Sequence, residues 1–548
     1  MNDIRKDTLK RFEALKTERT PWFEHWKDVS RNVWPTTGRF LASERNRNGQ
    51  RFNKIYDSSA TNAVRTLAAG MMSGMTSPAR PWFKLATTDR ELNQFQRVKE
   101  WLDEVGKIIH TIFHRSNTYR ALHTIYQELA VYGTAASVVT IDYDTVIHHT
   151  PLTAGEYCIA TNWRGDVDTV YREFEKTVGE TVREFGLDAV SQAVRSQFES
   201  GALEQPVTII HAIEPRAVRN LNSPLARDMP WRSVYLEQGA PEGQVLRESG
   251  FKRFPALCPR WSVSGGDIYG TSPAMEALGD IRQLQHQQLQ KAKTIDYQVQ
   301  PPLQVPTSLK NREQDLLPGG IVYADGATPI QPLWQVGLDM RYLLDDINDV
   351  RGRIQRAFYA DLFLMISQQD TRMTATEVAE RHEEKMLMIG PVLERLQNEL
   401  LMPMVDITFD AALAGGLLPP PPQELAGMDL DVELVSILAQ AQKAIQTNGI
   451  DRFTTFVGGL TQIDPQAQDK LNTDATINEY GEALGINPRI IRPDDEAEAI
   501  RQQRAEQQAQ QAQQAQLAQM ADAAQKLGNT PVGQGNALDS VMENLSGY

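Results

Sequence analysis

The chain has 548 residues, more than one hydrophobic core usually supports, so roughly three or four domains or subdomains are expected. Its composition is that of a soluble globular protein, 41% hydrophobic and 23% charged with a mean hydropathy of -0.42. A formal charge of -14 argues against a broad basic face that coats nucleic acid, two cysteines exclude a disulfide framework, and no apolar run is long enough to span a membrane.

The N-terminal part, to about residue 140, reads as mostly helical. The opening stretch has no apolar core of the kind a signal peptide needs. Leu9, Phe12, Leu15, Phe23, Trp26 and Val29 recur at three- and four-residue spacings until Pro35 stops the pattern. In YDSSATNAVRTLAAGMMSGMTSPARPWFKL, Asp57 or Ser58 offers a cap, followed by a small-residue helix and a Gly/Pro loop. The long amphipathic stretch beginning LNQFQRVKEW reads as two helices split near Ser116–Asn117. TAASVVTIDYDTVIHHTPL then turns strand-like.

Residues 150–265 read as α+β: DVDTVYREFEKT is a strand entering a helix, and PVTIIHAIEPR and WRSVYLEQ are further strands. Ser272 and Pro273 then form an N-cap and first helical residue. From Pro273 to about Val299, Met275, Leu278, Ile281, Leu284 and Leu289 make one apolar stripe. A Pro/Gly-rich insert with short strand candidates follows. Met340, Leu343, Leu344, Ile347, Val350, Ile354 and Phe358 then restart the helical period, giving a helix–insert–helix hairpin.

After that helix comes a polar break, SQQDTR, with neither glycine nor proline. Thr374 and Glu377 fit a capping box, and Val378, His382, Met386, Ile389, Leu393, Leu396 and Leu400 trace one helix face down to Pro403. A proline linker follows. Residues 430–495 read as shorter helices, and an Ala/Gln-rich stretch of strong helix formers leads into the C-terminal tail, which reads as flexible.

No catalytic constellation emerges. The chain has no phosphate-binding loop and no H-E-x-x-H, and SVSGGD is not a nucleophile elbow. His110 and His114 lack the neighbouring glutamate of a zincin and read as packing or surface residues, and His148–His149 has no acidic or thiol neighbour. Asp142 and Asp144 lack the spacing of a calcium loop and fit a turn at a strand edge. Cys158 and Cys258 read as buried thiols. Arg351, Arg353 and Arg356 stand among Asp345, Asp346, Asp349 and Asp361. They suit either pairs on one helix surface or ion pairs between subunits.

The order of these parts, with YGTSP at Tyr269–Pro273, RMTATEV at Arg372–Val378 and the early YDSSATNAVRTLAAGMM, resembles the portal, or head-to-tail connector, of short-tailed double-stranded DNA bacteriophages over roughly residues 5–480. The resemblance implies an α+β, mainly helical portal fold, assembled as a ring of twelve copies at one capsid vertex around a DNA channel. Its anatomy would make residues 1–272 the wing, 273–299 and 337–366 the stem helices, and 300–336 the clip. Residues 367–373 would be the tunnel loop, 374–429 a long connecting helix and linker, 430–500 the crown, and 501–548 a C-terminal helix or barrel with a tail.

Implied partners are further copies of the chain, the major capsid and scaffolding proteins, the terminase large subunit, a tail adaptor, and double-stranded DNA passing without sequence specificity. No membrane, cofactor or metal is implied. The place is the virion, with the host cytoplasm during assembly.

Within this mapping the channel loop is Ser367, Gln368, Gln369, Asp370, Thr371 and Arg372. It is polar with a single cation, so it would offer DNA weak, exchangeable contacts. An ordinary interhelical turn is the plain alternative. Asp345, Asp349, Arg351, Arg353 and Arg356 would lie on the stem between subunits. Lys310, Arg312, Glu313 and Asp315 would offer charges for docking on the clip. A packaging ATPase or nuclease, or a helical scaffold or adaptor, is the competing reading. The first two lack a phosphate loop or a clustered acidic site, and the large α+β segment disfavours the third.

Overall fold

The computed structural model describes residues 4–40, 55–87, 95–221, 223, 225–299, 303–304, 331–332, 340–367, 389–425, 430–434, 450–461, 464–483, 492 and 494–528. The chain forms two units, Met1–Gln446 and Thr447–Tyr548.

The first unit begins with helices. α1 (Ile4–Asn32) buries Phe12, Leu15, Trp26 and Val29 and ends before Pro35. α2 (Ser59–Met75) is capped by Asp57, whose carboxylate accepts from the Ser59 N–H at 2.9 Å; the Ser58 side chain makes no cap bond. A short strand, β1 (Phe83–Thr87), follows the Gly/Pro loop. α3 (Gln96–Arg115) and α4 (Thr118–Tyr132) part at Ser116–Asn117, as the sequence predicts.

β2 (Ala136–Asp142) and β3 (Val146–Leu152) form an antiparallel hairpin. Asp142 builds its turn by accepting from the Thr145 N–H at 2.9 Å and hydroxyl at 2.6 Å. Then come β4 (Tyr157–Thr161), β5 (Val167–Thr177), α5 (Val178–Phe185), α6 (Gln192–Glu199), β6 (Pro206–Pro215), β7 (Trp231–Glu237) and β8 (Arg247–Phe251). The strands β4 to β8 make an antiparallel sheet in the order β4-β5-β6-β7-β8. β9 (Ala256–Leu257) joins β2 instead.

Alternation along the strands splits the sheet into two apolar faces. Phe12 and Leu15 of α1 pack with Cys158, Tyr171, Ile210 and Leu236 on one face. Val178 of α5 and Val194 of α6 pack with Ile209 and Tyr235 on the other. A capping box, Thr177 with Glu180, starts α5 where β5 ends.

Ser272 caps α7 (Pro273–Glu276), its hydroxyl accepting from the Met275 N–H at 3.0 Å. α8 (Leu278–Val299) follows. β10 (Leu303–Gln304) and β11 (Gln331–Pro332) pair antiparallel, Leu303 opposite Pro332, and close the base of the insert. α9 (Met340–Ala357) returns beside α8.

Three expectations are corrected. The apolar period carries one helix past Phe358, but Tyr359 takes φ 53 and breaks it, and α10 (Ala360–Ser367) starts afresh. The helix face that the sequence traces down to Pro403 does not stop there: α11 (389–396) passes through a π-helical turn, Gln397–Leu401, into α12 (Met402–Ala414). The widened turn accommodates a proline that lacks an N–H and would crowd the carbonyl four residues back. Residues 430–495 read as shorter helices in the sequence, yet Leu430–Leu434 is a strand, β12. It pairs antiparallel with β1, Phe83 opposite Leu434.

The main core gathers α1, α2, α4, the inner halves of α8 and α9, and α11 with α12. It contains Trp26, Leu67, Leu129, Ile281, Ile354, Phe358, Leu396 and Leu400. In the second unit, α13 (450–461), α14 (Thr473–Ala483) and α15 (Asp494–Gly528) are the described helices. Arg501 of α15 grips Asp474 of α14 through two 2.6 Å bonds. Residues 501–519 of α15 are all exposed. The capping box at Thr374 and Glu377 and the C-terminal tail lie outside the described residues.

Candidate functional site

The α8–α9 hairpin and its root form the candidate site. Near the core, Ile281 and Leu284 of α8, Ile347, Val350 and Ile354 of α9, and Phe358 just beyond it are buried. Further out the same helices expose apolar side chains: Ile295 and Val299 on α8, Tyr342 and Leu344 on α9. The inner half is thus held by the chain's own core, while the outer half leaves these four side chains to solvent, with Leu343 of α9 packed against the core.

Polar groups lock the root. The buried Asp57 carboxylate accepts from Ser59 N–H, from Arg351 Nε at 3.1 Å and Nη2 at 2.7 Å, and from Gln288 Nε2 at 2.9 Å. Gln285 of α8 accepts from the Tyr56 and Asp57 N–H groups at 2.7 and 3.0 Å and donates to the Asp57 carbonyl at 2.8 Å. Burial pushes the Asp57 carboxyl up, but the bonds from Ser59 and Arg351 outweigh it and hold the group below the usual carboxylate range. One aspartate therefore ties the start of α2 to both hairpin helices.

Of the stem residues singled out by sequence, Arg351 and Arg353 are engaged within the chain. Arg353 bridges to Asp280 of α8 at 3.1 Å and to Asp349 at 2.8 Å. Asp346 accepts from Gln287. Arg356 donates to the Gly352 carbonyl. Asp345 is exposed on the outer half. Sequence reading named Asp57 as a cap and Arg351 as an ion-pairing group but did not join them, because 294 residues separate the two.

The YGTSP motif knits the hairpin's start to the end of α4. Tyr269 is buried edge-on to Trp26, centroids 5.2 Å apart, and its hydroxyl accepts from the Ile159 N–H at 3.1 Å. Gly270 donates to the Thr134 hydroxyl at 2.8 Å, and the Ser272 hydroxyl donates to the Val131 carbonyl at 2.8 Å. Gly133 ends α4 at φ 70. A Cβ on Gly270 would lie 2.4 Å from the Gly133 carbonyl oxygen, and one on Gly133 would lie 2.3 Å from that of Gly270. Only two glycines allow this backbone-on-backbone contact.

Two further supports hold the segment that leads towards the polar break. Phe363 of α10 lies against Gly70 of α2, where a Cβ would come within 2.2 Å of the ring. Buried Arg260 pairs with Glu399 of the π-helical turn through bonds of 2.6 and 3.3 Å and also donates to the Ile268 and Gly165 carbonyls. Gln368, Gln369, Asp370, Thr371 and Arg372, and Lys310, Arg312, Glu313 and Asp315, lie outside the described residues. Ser367 is the last residue of α10.

The two cysteines are free and buried. His110 packs on Phe83, centroids 4.2 Å apart, and burial pushes its pKa down to about 4. Burial pushes the Cys158 thiol up to about 11. Among the described residues, no group of three His, Cys, Asp or Glu could hold a metal, and no helix is long and apolar enough to cross a membrane.

A family model described as bacteriophage head to tail connecting protein matches residues 5–491. A protein named "Probable portal protein" from Bordetella phage BPP-1 is 53% identical over 548 residues, 99% of each chain. The "Portal protein" of Salmonella phage epsilon15 is 42% identical over 538 residues, 97% of each chain. Among solved structures, a chain from the neck of an empty gene transfer agent particle aligns with TM-score 0.39 at 12% identity, covering 83% of this chain and 98% of that one. A chain from the native gene transfer agent virion aligns with TM-score 0.38 at 11% identity, covering 84% and 99%.

Proposed function

The chain belongs to the bacteriophage head to tail connecting protein family and is a portal protein, and on that premise we propose that it works as a ring of about twelve copies at one capsid vertex. It is a structural connector, not an enzyme. In this reading the ring conducts double-stranded DNA during packaging and ejection and nucleates procapsid assembly with the capsid and scaffolding proteins. It docks the terminase motor first and the tail adaptor later. The α8–α9 hairpin is the stem, the insert closed by β10 and β11 is the clip, and residues 367–373 are the loop that meets DNA. The five-stranded sheet lies in the wing, and α13 to α15 belong to the crown and its extension.

The observation that carries the reading is the outer half of the hairpin. Ile295, Val299, Tyr342 and Leu344 are exposed on helices whose inner halves are buried. A ring of identical chains makes heterologous contacts that close on rotation, and such contacts would cover these side chains in turn. Arg351, Arg353 and Asp349 are paired within the chain, so of the five stem residues Asp345 and Arg356 are those on offer to a neighbour.

Native mass measurement with negative-stain imaging tests the ring. The expected result is an assembly of about twelve chains with a central hole. A monomer or compact dimer that persists in the presence of capsid and scaffolding proteins would overturn it. Substitution of Gln368 to Arg372 is expected to impair DNA packaging while leaving assembly intact. Normal packaging with that loop altered would refute its role.

A further inference from the structure

A row of side chains crosses one face of the five-stranded sheet and opens into a cleft. Strand register sets the row: Arg172 of β5 stands opposite His211 of β6, His211 opposite Tyr235 of β7, and Tyr235 opposite Arg247 of β8. The His211 ring lies flat on Tyr235, centroids 3.8 Å apart at 9°. The Arg247 guanidinium covers the same Tyr235 ring at 4.7 Å. Burial, with Arg172 and Arg247 adding to it, holds His211 neutral. Its Nε2 lies 3.0 Å from the Ser233 hydroxyl, and its Nδ1 accepts from Arg172 Nε at 3.1 Å.

This geometry pre-orients Arg172. Its Nε is spent on His211, and its guanidinium rests on the Phe174 ring at 4.6 Å. Glu156 feels its charge, but among the described residues no carboxylate lies within ion-pair distance and no acceptor hydrogen-bonds to its two terminal nitrogens. Arg172 lines a cleft of about 710 Å³ between the sheet, α1 and the β2–β3 hairpin. Six cations line the cleft, Lys16, Arg19, Arg39, Arg172, Lys176 and Arg247, against four glutamates. Three of those glutamates are already paired: Glu173 with Lys16, Glu156 with Arg39, and Glu184 with Lys176 and Arg247. The cleft is thus locally positive in a chain of formal charge -14. Phe23 and Phe40, edge to face with centroids 5.4 Å apart, supply an apolar wall.

We propose that this cleft is a docking site for an acidic segment of a partner protein, in which a carboxylate takes the free fork of Arg172 and an adjacent apolar side chain packs against Phe23 and Phe40. A planar guanidinium with two parallel donors suits a carboxylate's two oxygens, and the neighbouring cations raise the local concentration of acidic chain. The four glutamates in the lining disfavour a duplex nucleic acid. The proposal does not depend on the ring.

The test uses the full-length protein in its purified assembly. A fluorescein-labelled peptide alternating Glu with Phe and Leu is titrated by anisotropy beside a control with Gln in place of Glu. The acidic peptide is expected to bind at least about tenfold more tightly, weakening as salt rises. Arg172→Gln should remove that preference. Arg172→Lys, which keeps the charge but not the fork, should weaken binding severalfold. Circular dichroism melting confirms that both variants fold. Equal binding of the two peptides, or a preference that survives Arg172→Gln, would overturn the proposal. So would binding confined to dissociated chains together with a shift in assembly mass on Arg172→Gln, because the cleft would then be filled by a neighbouring copy.

Discussion

Replacing Asp57 with asparagine tests whether one carboxylate anchors the hairpin. The variant keeps the shape of the side chain and removes the charge that Arg351 and Gln288 address. Hydrogen bonds to charged groups contribute about 1.5–3 kcal/mol each, and breaking a fully buried pair costs about 3–5 kcal/mol. The Arg351 side chain is 41% exposed, so its freed guanidinium can take up water, which lowers the expected cost to about 2 kcal/mol. In urea that is a midpoint shift of about 0.5 M, because the slope rises with the surface a unit of this size exposes, and it is read from tryptophan fluorescence because Trp26, Trp34 and Trp82 sit in the main core. The Asp57 carboxyl titrates below its usual value in the folded chain. Its contribution is therefore present above the unfolded pKa of about 4 and lost as pH falls through the folded value. The gap between wild type and Asp57→Asn should close as the buffer is taken below about pH 4. Equal midpoints at pH 7, or a gap that persists in acid, would refute the reasoning.

Other substitutions probe the remaining supports. Gly270→Ala drives a methyl against the Gly133 carbonyl, with backbone on both sides unable to yield. It should destabilise by about 3 kcal/mol or give insoluble protein, and an unchanged urea midpoint would contradict the contact. Gly70→Ala should cost about 2 kcal/mol, and Phe363→Leu should recover part of that in the double variant; strict additivity would show that the two do not touch. Glu128 is fully buried, and burial raises its carboxyl to about 7 despite bonds from Thr153 and Ala154. Its contribution is full below the unfolded pKa and is lost as pH rises towards 7. Glu128→Gln should therefore gain on wild type between about pH 4.5 and 7 in parallel melting curves, and a pH-independent difference would argue against the assignment.

Much of this architecture is legible locally. The split at Ser116–Asn117, the turn built by Asp142 and the Ser272 cap all follow from side chains that bond to nearby backbone. What escapes the sequence is non-local. β1 and β12 are five residues each and find one another across some 345 positions; each alternates in short runs, FKLAT and LDVEL, but so brief a pattern does not name its partner. Tyr359 breaks a helix with neither glycine nor proline nearby; its ring rests 6.1 Å from Trp261, a contact only the folded chain supplies. Within the candidate site, the arginines and aspartates of α9 are visible as a charged cluster. That Arg351 reaches back to Asp57 rather than outwards depends on how α2 packs against α9.

The π-helical turn across Gln397–Leu401 also acts as a phase slip. An α-helix turns about 100° per residue, so one extra residue in a turn re-aims everything after it by that amount. Continued from Ile389, Leu393, Leu396 and Leu400, the stripe would put Ile407 inside. Instead Ile407 is half-buried and Thr408 is buried, its hydroxyl donating to the Met404 carbonyl at 2.7 Å. The number of residues between Ile389 and Thr408 is therefore a mechanical constant of this chain. Deleting one would straighten the helix, swing α12 round by a quarter turn or so, and pull Glu399 away from Arg260. Length changes in this family are accordingly expected to fall in the loops and the insert, while this stretch keeps its count through any amount of substitution.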